Sequence, residues 1–419
     1  MQPVKPATTT LGMDMNVSQL IGPREAWVRA CTKSYFEARS KSGNYKNLIR
    51  VIHPHPDSIR IQSKVRDLAV NHNGTKLYVV TREMVTVLSI TNNNQYNPSN
   101  INYANDNVAL ITKCTIPIKA SKILVHPEDP DVFILLCQDN NSDAPLIRAY
   151  ESKVNTRVLA EWNVKDADTW YTGAWSPNNN FLIFIDRQNR LYMMNLSYHI
   201  ENSPLPVYVK SLNSEVYGIT FSRKGDCIFL YGSEGYIECF PSYSSKCTSQ
   251  ILPKHLLLEP LTITRAHSHI VTCCATNKSN NLIATGGSDH TIHIFEINYT
   301  ATNTISGDLV CIGTFPELEG QISNMSFSRC GLLLAWGTKD STQFDDSDER
   351  DDETANDFTL TIAGVNPCQI YYKHPTSSPV THCVFLPNSY TVIFALDYDY
   401  MKKGLPKGPK CPIGLLHLE

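Results

Sequence analysis

The chain has 419 residues, 42% of them hydrophobic, with a formal net charge of -3. That is enough apolar material for one large or two ordinary cores, and a near-neutral balance gives no global electrostatic case for nucleic-acid binding. The opening stretch "MQPVKPATTTLGMDMNVSQLIG" lacks the basic-then-apolar order of a secretion signal, and no apolar run of about 18 residues suggests a membrane span, so a soluble intracellular protein is expected.

In chain order, residues 1–44 read as an N-terminal extension, partly disordered or helical, with Trp27 as an anchor, and residues 45–419 as one folded domain. "YKNLIRVIH", Tyr45 to His53, alternates as a strand does. One phrase then recurs: "VRDLAVNHNG" from Val65, "ASKILVHPED" from Ala120, "WYTGAWSPNN" from Trp170, "VYGITFSRKG" from Val216, "IVTCCATNKS" from Ile270, "ISNMSFSRCG" from Ile322 and "VTHCVFLPNS" from Val380. Ala120 starts the loosest version. A second apolar run follows each phrase ("KLYVV", "FLIFI", "CIFLY", "LLLAW"), then a short turn and a third ("RLYMMNL", "YIECF", "TIHIFEI"). Short strands with period-two alternation and Gly/Asn/Asp turns argue for an all-β fold, and no intervening segment has a helical period.

One such unit cannot bury both faces, but seven arranged radially can. The expected fold is a seven-bladed β-propeller with four antiparallel strands per blade. The Asn-rich stretch "TNNNQYNPSNINYAND" and the segment "SYSSKCTSQILPKHLLLEP" then fall between third and fourth strands. The last blade holds only three strands, which would leave "IGLLHL" as an exposed edge. We therefore expect Asn47 to Ile52 to pair antiparallel with Gly414 to Leu418 and close the ring.

Two charged segments stand out. The acidic insertion Asp345, Asp346, Asp348, Glu349, Asp351, Asp352 and Glu353 lies between the second and third strands of blade six, and the basic segment carrying Lys402, Lys403, Lys407 and Lys410 joins the corresponding strands of blade seven. Such connections share a face with those between blades, so the two should be neighbours on one rim. The lysines are a possible rim contact for RNA phosphates, but they have no aromatics between them, which a nucleic-acid track would use; each segment also reads as an ordinary solvated loop.

Chemistry-bearing motifs are sparse. The 13 cysteines include no Cys-x-x-Cys, so they read as small buried hydrophobes rather than zinc ligands or a disulfide framework. No phosphate-binding loop, nucleophile elbow or His-Glu-x-x-His is present. "HPHP" at His53 to Pro56 reads as a loop. Neither catalytic residues nor a metal, cofactor or small-molecule substrate is expected, although fold alone does not exclude a propeller enzyme.

The stretch "AHSHIVTCCATNKSNNLIATGGSDHTIHIFEI" closely resembles a WD repeat, with "AH" for Gly-His, Asp289 in the turn and "FE" for Trp-Asp. The resemblance implies a structural hydrogen-bond network of His267, Asp289 and a hydroxyl from Ser288 or Thr285, left incomplete because Phe295 has no indole N–H. In order and wording, "SYFEARSK", "VHPEDPDVF", "AWSPNNNFLIFIDRQNRLYMMNL", "EVYGITFSRKGDCIFLYGSEGYIECFPSY", "ITRAHSHIVTCC" and "IFALDYDYMKKGLPKG" resemble the THO complex subunit 3 family, the WD-repeat subunit of the THO complex. The WD dipeptides themselves are absent, and the acidic insertion is no part of that pattern. The resemblance implies a nuclear, non-enzymatic scaffold of a THO/TREX-type assembly that couples transcription to mRNA packaging and export. Its partners would be the large THO scaffold subunit and other THO subunits, with indirect association with a DEAD-box RNA helicase and mRNA, and no membrane contact. The alternative is a WD-repeat adaptor of another nuclear assembly, chromatin-modifying or RNA-processing.

Overall fold

The structure, a computed structural model, describes residues 49–52, 59, 61, 63–92, 108–140, 142–197, 199–242, 254–277, 281–299, 305–339, 358–404 and 411–418. The expected extension 1–44 with Trp27, the stretch His53 to Pro56, the acidic insertion Asp345 to Glu353, and Lys407 and Lys410 lie outside these residues.

The described strands form seven four-stranded antiparallel sheets, one per repeat: a seven-bladed β-propeller. Six sheets run in chain order. The seventh takes its outer strand, Ile49–Ile52, from before the first repeat. That strand pairs antiparallel with Ile413–Leu418 in the register Ile49↔Leu418, Arg50↔His417, Val51↔Leu416 and Ile52↔Leu415. The expected closure is therefore present, and Ile413–Leu418, buried along its whole length, has no open edge.

Local chemistry explains why each phrase turns where it does. The seventh residue is usually polar and bonds the turn that follows. Ser222 Oγ accepts the amides of Asp226 and Cys227 at 3.1 and 3.0 Å, Ser176 Oγ does the same for Asn180 and Phe181, and Asn71 Oδ1 accepts Thr75 and Lys76. The tenth residue is left-handed: Gly74, Asn179, Gly225 and Gly331 have φ of 72°, 60°, 70° and 72°. Glycine and asparagine are the residues that tolerate that backbone.

Blades two to seven share a further feature. The register of the innermost strand shifts close to its start, at Ala120/Lys122, Trp170/Thr172, Val216/Gly218, Val271/Cys273, Ile322/Asn324 and Val380/His382. Each is a bulge that bends the strand and re-aims the residue in between. This corrects the frame of blade five by one residue, to Val271 rather than Ile270. The loosely matching blade two has all four strands and the same bulge.

The core lies between blades. One buried cluster joins Leu68, Leu77 and Leu88 of blade one to Ile393, Ile413 and Leu415 of blade seven. Another joins Phe181 and Ile183 of blade three to Phe221 and Ile228 of blade four. Hydrogen bonds stitch other seams, between blades one and two, five and six, and six and seven: Asp67 Oδ2 accepts the Ile123 amide at 2.9 Å, Thr272 donates to the Ile322 carbonyl at 2.5 Å and Ser323 to the Val380 carbonyl. A short α-helix, Tyr398–Gly404, differs from the expected all-strand-and-loop reading. The Asp397 carboxylate caps it, accepting the amides of Asp399 and Tyr400 at 3.0 and 3.3 Å.

Candidate functional site

The one constellation singled out for polar chemistry lies in blade five. His267 sits in the connection from Thr262–Arg265 to Val271–Thr276, and Asp289 in the turn between Leu282–Gly287 and Ile292–Tyr299. Both connections open on the face that carries the links between blades. His290, left-handed at φ 61°, completes the turn.

His267 Nδ1 lies 2.9 Å from Asp289 Oδ1, and His267 Nε2 lies 2.8 Å from Thr285 Oγ1. Thr291 Oγ1 donates to Asp289 Oδ1 at 2.8 Å, while the Ser268 amide and hydroxyl donate to Asp289 Oδ2 at 2.9 and 3.2 Å. The hydroxyls that complete the network are thus Thr285 and Thr291, with Ser268 outside them. Ser288 is corrected: its part is a backbone one, its N–H donating to the Ile270 carbonyl at 2.9 Å. Gly287 is required for space, since a Cβ there would lie 2.4 Å from both Asp289 Oδ1 and His267 Nδ1.

The electrostatics fix the protonation states. Burial pushes His267 below its ordinary pKa against the pull of Asp289. Burial works to raise the Asp289 carboxyl, but the Ser268 amide, the Thr291 hydroxyl and His267 outweigh it and hold it at about 2. A neutral imidazole then donates Nδ1–H to a carboxylate and accepts the Thr285 hydroxyl at Nε2. A proton shuttle needs an imidazole that titrates near neutrality. Burial disfavours the charged form of this one, both of its ring nitrogens are engaged by Asp289 and Thr285, and the arrangement does structural work.

Around the network lies an open depression lined by Arg265, His267, Ser268, Asp289, Thr291 and His293. A second hollow, on blade four beside Tyr231, Glu234 and Tyr236, barely holds a water. Among the described residues, no group of three or more His, Cys, Asp or Glu side chains is placed to hold a metal ion. Cys273 is buried on its strand and Cys274 half-buried.

Lys402 and Lys403 fall on the helix Tyr398–Gly404, between the second and third strands of blade seven. The strands flanking the acidic insertion, Leu333–Lys339 and Phe358–Val365, open on the same face of the neighbouring blade. Sequence reading did not single out the outer strands of blades three to five. They expose Val207, Ile263 and Ile312 at 51%, 58% and 48%, together with Tyr208 and Val310, which makes the outside of the ring apolar as well as polar.

Comparison with known proteins agrees with this geometry. Residues 258–296 match the model for the WD domain, G-beta repeat, so blade five is a WD40 repeat. The chain is 27% identical over 135 residues to THO complex subunit 3 of Arabidopsis thaliana, a match covering 32% of this chain and 36% of that protein. It thus spans about a third of the length of the curated relative. The crystal structure of the Cps50 (Swd1) β-propeller domain of Myceliophteria thermophila superposes with a TM-score of 0.60 at 10% identity, covering 89% of this chain and 100% of that one. At that identity the likeness is one of fold.

Proposed function

We propose that this WD-repeat propeller is a non-enzymatic scaffold subunit of a nuclear THO/TREX-type assembly that couples transcription to mRNA packaging and export. The identity to THO complex subunit 3 carries the reading. The ordered series of motifs along the rest of the chain supports it.

The physics of the fold suits that role. A ring closed by its own first strand is rigid, so it presents its rims and its outside to partners without a large ordering cost. The polar network of blade five sits on a rim and holds its connections in place. The exposed apolar side chains of blades three to five offer area for a large protein partner. In this reading the large THO scaffold subunit and other THO subunits are the direct partners. The DEAD-box helicase and mRNA associate through the assembly.

The test is co-purification. The tagged protein, recovered from its own nuclei at physiological salt and analysed by mass spectrometry, should bring down the large THO subunit in near-stoichiometric amount. Recovery of a different nuclear assembly without THO subunits would replace this reading with that of an adaptor of that assembly.

A further inference from the structure

Three arginines far apart in the chain come together at the mouth of the ring, on the face that carries the links between blades. Arg66 stands at the second position of the first repeat. Its amide donates to the Val80 carbonyl at 2.8 Å, which sets it beside the turn that carries Arg82, closed by the Thr81 amide on the Met84 carbonyl at 2.9 Å. Arg187 opens the corresponding turn of blade three, its amide donating to the Thr169 carbonyl at 2.9 Å. All three are exposed.

Partial burial, and then the like charges of Arg82 and Arg187, hold the Arg66 guanidinium below its ordinary pKa, and no carboxylate among the described residues acts on it. On the same face Lys64 pairs with Asp397 at 2.9 Å and Lys122 with Asp67 at 2.9 Å. Arg148, Arg157 and Arg190 elsewhere are also paired. None of the three mouth arginines makes an ion pair among the described residues.

Aromatic rings continue the arc. The second-position residues of blades three and four are Tyr171, 39% exposed, and Tyr217, with ring centroids 6.5 Å apart and planes at 57°. The Arg187 amide bonds the carbonyl of Thr169, two residues before Tyr171, so the turn carrying the cation opens beside the strand that carries the ring. The Tyr217 hydroxyl donates to Glu215 at 3.3 Å, where the arc ends.

We propose that this arc is a track for single-stranded nucleic acid, with phosphates held by Arg82, Arg66 and Arg187 and bases stacked on Tyr171 and Tyr217. A guanidinium fork matches a phosphate in two parallel hydrogen bonds. A tyrosine face accepts any base, which makes such a track tolerant of sequence. An acidic peptide would use the arginines and leave the rings idle. The basic segment at Lys402 lacks the interleaved aromatics that this arc has. The inference does not depend on which assembly holds the propeller.

The experiment uses the full chain and fluorescence anisotropy with a labelled uridine-rich RNA about 12 nucleotides long. The wild type should bind with a slope of log affinity against log salt of about -2, from three phosphate contacts. Arg66→Ala, Arg82→Ala and Arg187→Ala together should weaken binding at least about tenfold at low salt and flatten that slope. Tyr171→Leu and Tyr217→Leu should each weaken binding several-fold and leave the slope unchanged. Lys64→Ala should change neither, and unfolding curves confirm that each variant is folded. An unchanged affinity in the triple arginine variant, or no binding by the folded wild type at low salt, would overturn the proposal. So would a polyglutamate peptide that competes equally well while the tyrosine variants bind normally.

Discussion

Ile49 is the antiparallel partner of Leu418, so the strand that precedes the first repeat completes the last blade. The consequence is cooperativity. The cluster holding Leu68 and Leu77 also holds Ile413 and Leu415, so blades one and seven share one core across the closure. Removing residues 1–55 should leave Ile413–Leu418 as an open hydrophobic edge and give aggregated or protease-sensitive protein. Removing residues 1–30 should leave folding intact. Limited proteolysis and thermal unfolding separate the two cases. A monomeric 56–419 chain with unchanged Tm would show that the ring holds without its first strand.

The network of blade five makes a sharper distinction between neighbouring residues. Asp289→Ala leaves the Ser268 amide, the Thr291 hydroxyl and the His267 N–H without their acceptor, and should cost about 1–3 kcal/mol. Thr285→Val removes the donor to His267 Nε2 and should cost about 1 kcal/mol. Ser288→Ala should stay within about 0.5 kcal/mol. Urea unfolding of the three variants measures this, and partner recovery from the folded variants should be unchanged. A stable Asp289→Ala protein that loses a partner would make Asp289 part of a binding surface instead.

Acidification should weaken the fold in two stages. Burial depresses His267, and it depresses His382 from 6.5 to about 4 against the attraction of Asp67. A histidine with a depressed folded pKa binds its proton more readily when unfolded. Stability present above pH 6.5 is therefore lost as pH falls toward about 4. Asp289, held at about 2 against an ordinary 3.8, is a depressed carboxylate, and its contribution is lost as pH falls from 3.8 toward about 2. Unfolding midpoints across this range should show both stages, and His382→Asn should shrink only the first. A flat profile between pH 6.5 and 4 would show that these imidazoles are not enclosed.

Much of this was legible because each blade rewrites the same local problem. A seventh-position Ser222 or Asn71 and a tenth-position Gly225 or Gly74 write the first turn of a blade into the sequence. What failed to show is equally specific. The helix Tyr398–Gly404 has 7 residues, too few for a hydrophobic period to register; its signal was the capping Asp397. Ser288 and Thr285 were equal candidates as hydroxyls, and only the fold, which sets Thr285 Oγ1 2.8 Å from His267 Nε2, separates them. The frame of blade five slipped because a bulge makes Ile270 and Val271 interchangeable in a pattern of apolar spacing. Arg66, Arg82 and Arg187 form no run at all; ring closure and blade order assemble them.

The seam between blades five and six offers the most direct test of how the ring is held. Thr272, the residue re-aimed by the bulge, donates toward the Gly286 carbonyl at 2.9 Å in its own blade and the Ile322 carbonyl at 2.5 Å in the next. Gly286 faces the same strand: a Cβ there would lie 2.7 Å from Ile322 Cγ2 and 2.8 Å from Met325 Cε. Ile322 is fully buried and its side chain is branched, so it has little room to move away. Gly286→Ala should therefore push the strand Gln321–Phe327 outward and cost about 1–3 kcal/mol by overpacking. Thr272→Val keeps the branched shape and loses only the hydroxyl, for about 1 kcal/mol. The two effects should not add. Once alanine has forced the blades apart, the bond from Thr272 to Ile322 is already stretched, and removing it costs less. A double-mutant cycle by urea unfolding should show the pair costing less than the sum of the singles. Strict additivity would mean that the clash is absorbed inside blade five and that the Thr272 bond is intact in the Gly286→Ala protein.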